Sequence, residues 1–435
     1  MVEVEVMSRG TLRVGLGTVL VWVCVLFVPT VSAQPTEAEI GETATFLTLF
    51  PELRAMGAPE WVQPGVRVSY QTAAGGVIQY DVVHRDGAQV LLHQHSYLDG
   101  GAGVVLAGQA VGRGLPGLGP VWLNPQVLAG AESKASAQLS VSRYSRNVAG
   151  TMIEVVRFQT QTTNGQTVFE FSAGSGTLVF SSVASPGSAA QMTMVNRREV
   201  ALPWEAGRAP GWVRPGTRLE YAGSKTTAVS GAGTSQQEVV ARAELAQAGA
   251  GWSLAQMSTA VQGVFQGGGV QATGSVQPGG ALWLSQQALS VVAPSVATAI
   301  DVDPVTGAQL FLLRESDGSV VLQQLLSGAT QTWVYSPELG VLERQIQETR
   351  SPASTEVIDI RRVGGSDLEA LSQLEPLPDD PAEVGGAAGG AGRDGEGGGC
   401  RAAASGGPGS LWVLVLLMGV GVSRVVRRGG VRARC

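Results

Sequence analysis

One 13-residue stretch occurs twice in this chain, and it narrows the possible folds more than any other feature. Ala58-Pro59-Glu60-Trp61-Val62-Gln63-Pro64-Gly65-Val66-Arg67-Val68-Ser69-Tyr70 reappears as Ala209-Pro210-Gly211-Trp212-Val213-Arg214-Pro215-Gly216-Thr217-Arg218-Leu219-Glu220-Tyr221. Eight positions are identical, Trp and Tyr among them, in a chain whose aromatic content is only 6%. The copies begin 151 residues apart, about the length of one domain. In each, Pro-Gly supplies a turn and the following residues alternate as in a strand: Val66, Val68 and Tyr70 in the first copy, Leu219 and Tyr221 in the second. The expected fold is all-β, with two tandem homologous antiparallel domains, barrels or sandwiches, over residues 58–200 and 209–363. The repeated Trp is expected to plug the end of each β core.

A second correspondence supports the duplication. Gly119-x-x-Trp122-Leu123-x-x-Gln126-x-Leu128 matches Gly280-x-x-Trp283-Leu284-x-x-Gln287-x-Leu289. Asn124 before Pro125 is a helix cap with Pro at the first helical position, and Ser285 can cap the other copy. Each domain should therefore carry one short helix at the same place, anchored by Trp122 or Trp283. Ahead of the first domain, residues 34–57 hold Ile40, Ala44, Leu47, Phe50 and Leu53 at helical spacing, interrupted by Pro51. They predict a short helix packed on that domain.

Turn signals divide the body into short strands. Asp86-Gly87 sets a hairpin between 77–84 and 89–97, and Asn164-Gly165, Asp317-Gly318 and Pro337-Glu338-Leu339-Gly340 mark further turns. Sixty glycines and a charged content of 15% suit such turn-rich β structure better than long surface helices. Between Gln34 and Gly399 there are 33 acidic and 21 basic residues, a net charge of −12. Nucleic acid needs a basic surface, so it is excluded as a partner. The same span has no cysteine; Cys24, Cys400 and Cys435 all lie outside it. Disulfides, a thiol nucleophile and a cysteine zinc site are thereby excluded from the body, whose stability must come from packing.

The two ends read as addresses. Arg9 and Arg13 precede the apolar run 14–28, and Val31-Ser32-Ala33 follows. That is the order of a secretory signal peptide over residues 1–33, with Met7 as a better start than Met1 and cleavage between Ala33 and Gln34. Residues 364–399 are rich in Gly, Ala and acids and are expected to be a flexible linker about 30 Å in span. Residues 400–435 carry Cys400, a small-residue spacer, the apolar run 411–422, and Arg424, Arg427, Arg428, Arg432 and Arg434. Twelve residues of helix reach about 18 Å, short of the ~30 Å hydrocarbon core, and the arginines hold this end on the cytoplasmic side.

That tail resembles the MYXO-CTERM sorting signal of myxobacterial surface proteins. The resemblance covers Gly397 to Cys435, and Cys435 is not a usual part of the pattern. It implies processing at Cys400, removal of the apolar helix and Arg tail by an intramembrane protease, lipidation of Cys400, and a mature protein on the outer membrane or cell surface. An ordinary single-pass anchor is the other reading of the tail. In either case the membrane is the partner of the C-terminus and the body is exported.

Catalytic and metal chemistry finds little footing. His84, His93 and His95 are the three histidines, all in one hairpin. His93 and His95 share a face at a metal-binding spacing, but the turn sets His84 opposite Gln89, and all three are expected to be partly exposed. No G-x-S-x-G elbow occurs. Asp301-x-Asp303 is the most suggestive carboxylate pair for a glycosidase or calcium site, yet Asp303-Pro304-Val305-Thr306-Gly307 reads as a turn. Gly267-Gly268-Gly269 lies between β segments with no Lys-Ser/Thr after it and is not a phosphate loop. No cofactor is expected. The chain is read as a non-enzymatic surface-anchored envelope protein, with a structural role or an apolar or glycan ligand in a β cavity; the alternative is an envelope-polymer hydrolase using paired carboxylates.

Overall fold

The computed structural model describes residues 45–162, 165–291 and 295–378. The signal sequence with Ala33 and Gln34, Asn164, the tail with Cys400, and both apolar runs lie outside the described residues. No described helix is long and apolar enough to cross a membrane.

The protein is all-β in two domains. The first sheet contains β1 (Val66–Thr72), β2 (Val77–Arg85), β3 (Val90–Asp99) and β4 (Val104–Gly114). A connection through β5 (Leu118–Gly119) and β6 (Trp122–Leu123) leads to β7 (Leu139–Val148), β8 (Thr151–Thr162), β9 (Gly165–Ser172), β10 (Leu178–Ser185) and β11 (Ser188–Glu199). The second sheet contains β12 (Arg218–Val229), β13 (Gly233–Gly249), β14 (Trp252–Val261) and β15 (Val264–Gly274), then β16 (Thr298–Val302), β17 (Gln309–Arg314), β18 (Val320–Leu325), β19 (Ala329–Tyr335), β20 (Leu342–Arg350) and β21 (Ser354–Gly365). The strand orders are β4-β3-β2-β1-β11-β10-β9-β8-β7 and β15-β14-β13-β12-β21-β20-β19-β18-β17-β16. Each domain is thus one continuous antiparallel sheet. Among the described residues no ladder joins its two edge strands.

The repeated residues make the same bonds in both domains. The Trp61 indole donates to the Ser175 carbonyl at 2.8 Å, and Trp212 donates to Leu339 at 2.7 Å. The Tyr70 hydroxyl reaches the Leu178 carbonyl at 2.9 Å, and Tyr221 reaches Leu342 at 3.1 Å. Trp122 bridges to Thr177 and Trp283 to Val341, and both rings are fully buried. The sequence element that begins each domain is therefore tied to the start of β10 or β20, with the second Trp clamped beneath it. The short helices follow at α2 (Pro125–Leu128), capped by Asn124, and α3 (Gln286–Ser290), capped by Ser285. Gly176 and Gly340 complete the clamp at φ 68° and 64°. Their amides take the Ser172 and Ser336 carbonyls, and their own carbonyls receive Leu123 N and Leu284 N.

A helix over 45–49, here α1, and a 3-10 turn at Pro51–Arg54 bury Phe46, Phe50 and Leu53 in the first domain. Phe46 stands edge-on to Phe158, Phe169 and Phe171 at 5.3, 5.8 and 5.6 Å between centroids. The expected linker begins later than residue 364. Residues 364–365 complete β21, and α4 (Leu368–Ser372), capped by the Asp367 side chain, buries Leu368 in the second core. The β segments on either side of Gly267-Gly268-Gly269 are one strand, β15, because these glycines continue the ladder to Thr259, Ser258 and Met257.

The clamp makes a test of the duplication. A Cβ on Gly340 would lie 2.4 Å from the Leu284 carbonyl oxygen at a left-handed φ. Gly340→Ala should cost about 1–3 kcal/mol, read as a lowered urea midpoint with an unchanged slope, and Gly176→Ala should behave alike.

Candidate functional site: the domain junction and its cavity

The inner faces of the two sheets differ in bulk at matched positions. Tyr70 pairs with Ile78 where Tyr221 pairs with Ala241, and Val68 with Tyr80 where Leu219 pairs with Ala243. Val82 pairs with Leu92 where Leu245 pairs with Ala255. Ile78, Tyr80 and Leu92 fill the first core, and Tyr80 packs edge-on against Tyr70 at 5.9 Å. Three alanines stand in their place in the second. The aromatic helix is also missing there, since the stretch 151 residues after Phe46 to Leu53 is the end of β11 and a loop from which Trp204 enters the core.

A cavity of about 130 Å³ lies beside one of these alanines, Ala241. Its walls on the second domain include Tyr221, Ala241, Leu282, Trp333, Leu342 and Ile360 together with Gln271, Gln331, Gln345 and Gln347. Its remaining wall comes from the first domain, through His93 of β3 and Leu106, Gly108 and Gln109 of β4. Gly267, Gly268 and Gly269 lie along one side, where a Cβ on Gly268 would approach the Met257 carbonyl oxygen to 2.5 Å. No Asp, Glu, Lys or Arg is among the lining residues. The cavity is uncharged, lined by both domains and only partly enclosed.

Its first-domain wall depends on how the domains dock. Val83 and Leu91 pack on Trp252, Leu254 and Ala272, and Tyr97 and Val105 pack on Ala308, Leu326 and Ala329. Between these contacts sits a buried ionic network. The Arg67 guanidinium donates to both oxygens of Asp81, at 2.6 and 2.8 Å, and across the junction to Asp303 at 3.1 Å. Gln79 donates to the same Asp303 oxygen at 3.0 Å, while Arg198 donates to both oxygens of Asp301 at 2.7 Å and to Asp303 at 3.2 Å. The other Asp303 oxygen accepts from Val305 N, Thr306 N and the Thr306 hydroxyl. Burial by itself would raise the Asp303 pKa, but Arg67 and these donors outweigh it and hold it at about 2. The same competition, settled by Arg67, leaves the Asp81 carboxyl far below its usual range.

His84 is partly exposed, as expected, but the other two histidines are not. His93 and His95 are buried at this junction with rings 4.4 Å apart, because their strand faces the second domain. His93 Nδ1 accepts from Gln277 Nε2 at 3.1 Å, and burial, then the neighbouring His95, lowers its pKa to about 3, so it is neutral. His95 Nε2 lies 3.4 Å from Asp81. His84 pairs with Leu91 rather than Gln89, because Asp86 N–H bonds the Gln89 carbonyl and the turn is made by Gly87 and Ala88, and it stacks on Trp252 at 5.2 Å. Among the described residues no group of three or more His, Cys, Asp or Glu side chains is placed to hold a metal. Asp303 does form the expected turn, with Gly307 at φ 71° and its amide on the Asp303 carbonyl. Asp301 lies in β16, a strand absent from the sequence reading, and both carboxylates reach across to arginines of the first domain.

The glutamines and the Arg67 network were missed from sequence. The Arg67–Asp81 pair had a signal, an arginine and an acid on neighbouring strands of a hairpin. Its repeat equivalent, Arg218–Glu244, is also a cross-strand pair, at 3.0 Å, but is solvent-exposed. Spacing could not tell the buried pair from the exposed one.

No family model and no curated protein matches this chain. Among solved structures, MucB in complex with MucA(peri) is similar at 10% identity over 77% of this chain and 99% of that one, with a TM-score of 0.22. MucB alone gives 13% identity over 79% and 95%, with a TM-score of 0.23. A protein of unknown function of the DUF3598 family from Nostoc punctiforme gives 11% identity over 70% and 99%, with a TM-score of 0.15. Superpositions this loose carry nothing over to this chain.

Removing one member of the ionic network leaves buried charges uncompensated. Arg67→Met should destabilise the protein by about 3–5 kcal/mol, measured by urea unfolding, whereas Arg218→Met should cost no more than about 1 kcal/mol. A carboxylate whose pKa is depressed on folding contributes stability above its unfolded value and loses it as pH falls. The Asp303 contribution should therefore fade from about pH 4 to about 2, seen as a falling urea midpoint that Asp303→Asn flattens in that window.

Proposed function

We propose that this is an exported, non-catalytic binding protein of the cell envelope, anchored through its C-terminal segment, that holds an uncharged ligand in the second domain's cavity. The observation that carries the reading is the divergence of the repeats. Where the first domain has Ile78, Tyr80 and Leu92, the second has Ala241, Ala243 and Ala255. Ala241 is in the wall of the cavity. Loss of core bulk is destabilising unless the space is used, and this space is shared with residues of the other domain.

The address rests on the signal-peptide order ending at Ala33 and on the sorting-signal resemblance around Cys400. The hydrolase alternative draws no support from Asp301 and Asp303. Both carboxylates are engaged by arginine, and Asp303, ionised above about pH 2, has no proton to give near neutrality.

The full-length protein, recovered from envelopes of its host under mild conditions, should show extra mass in its native spectrum that is lost on denaturation. Ala241→Ile, which restores the first domain's Ile78, should stay folded and lack that mass. A ligand-free native species would overturn the binding role. A denatured mass of residues 34–400 plus acyl chains is expected, and one running to Cys435 would overturn the sorting reading.

A further inference from the structure

We propose that the cavity recognises one uncharged sugar residue, held by the side-chain amides of Gln331, Gln345 and Gln347. This rests on the binding reading above and names its ligand class. Gln331 pairs with Gln347 across β19 and β20, and Gln345 pairs with Trp333. Alternation along each strand puts all four side chains in the wall of one space. Gln331 is 3% and Gln347 8% exposed. Among the described residues none of these three amides makes a hydrogen bond to another group of the protein. Gln345 is half-buried, and the amide atoms of all three stay accessible from the cavity. Side-chain amides on buried residues are nearly always paired in native structures, so Gln331 and Gln347, unpaired and facing this space, point to partners supplied through it.

The chemistry of those partners follows from the amide. Each offers two donors and an acceptor on one planar group, and a hydroxyl, which donates and accepts at once, is its complement. Several hydroxyls on one ring would answer three amides on two adjacent strands. Trp333 and Tyr221 add aromatic surface to the same wall. The absence of charged lining residues, with His93 neutral, disfavours phosphates, carboxylates and ammonium groups, which need a counter-charge when desolvated. An acyl chain is disfavoured for the opposite reason, since it would leave the amides unpaired. At about 130 Å³ the space is on the scale of the ~150 Å³ cavity that admits benzene. A pyranose with its hydroxyls is larger than benzene, so the sugar would enter with one edge, the rest of the ring lying toward the pocket's open side.

The test uses the full-length protein and two kinds of probe: neutral mono- and trisaccharides of glucose, galactose, mannose and N-acetylglucosamine, and the uncharged apolar dye N-phenyl-1-naphthylamine. Binding is read by tryptophan fluorescence and calorimetry in wild type, Gln331→Met, Gln347→Met and Ala241→Ile. At least one saccharide should bind saturably, at least tenfold more weakly in both Gln variants, and not to Ala241→Ile. Thermal denaturation should show the Gln variants as stable as wild type or more so, separating lost recognition from lost folding. No saccharide binding, or binding unmoved in the Gln variants, overturns the sugar assignment. If the dye alone binds and Ala241→Ile abolishes it, the sugar assignment falls while the cavity keeps its binding role. If no probe responds to Ala241→Ile, both readings fall.

Discussion

The contact between Arg67 and Asp303 carries a consequence out of proportion to its size. Arg67 is already bound by Asp81 within the first domain, and its third hydrogen bond goes to a carboxylate brought by the second. Desolvating this many charges is tolerable only when each has a partner in good geometry. Arg198, Asp301, Gln79 and the amides of the Asp303 turn supply those partners. A network of this kind specifies one relative placement of the domains, since a shift that breaks one bond strands a buried charge. The apolar contacts around Val83 and Tyr97 supply attraction without that directionality. Placement in turn decides whether His93, Leu106 and Gln109 line the cavity.

The two domains show how one device can serve two purposes. The Trp-Tyr clamp is kept in both, down to the carbonyls it bonds and the glycine that lets the chain turn beside it. Core bulk is not kept. The first domain is filled by its own tyrosine and by phenylalanines of α1, while the second keeps small residues facing inward and polar amides on its last strands. The first domain lends rigidity and one wall, and the second supplies the space. The Arg-acid pair diverged the same way, buried at the junction in one copy and solvated in the other.

The sequence reading reached most of the fold because the features it used are local. Turn glycines, period-2 alternation and capped Trp helices act within a few residues of themselves, and a repeated motif reports a repeated environment. Its misses have physical causes too. Three glycines in β15 looked like a break, but a ladder to β14 supplies the hydrogen bonds their missing side chains could not. The linker looked to start at residue 364 because Gly and acids dominate beyond it, yet Leu368 finds a core to bury in. His93 and His95 looked solvated because polar residues on a hairpin usually are, and only the docked second domain covers them.

By itself the sequence determined that this is a duplicated all-β protein with a cysteine-free, acidic body, because identity, alternation and composition are properties of the chain. Only tertiary structure decided which Arg-acid pair is buried, which histidines are dry, and that glutamines 331, 345 and 347 meet around one space. Those outcomes depend on which faces of two sheets come together. Burial and partnership belong to pairs of surfaces, so no single stretch of residues encodes them.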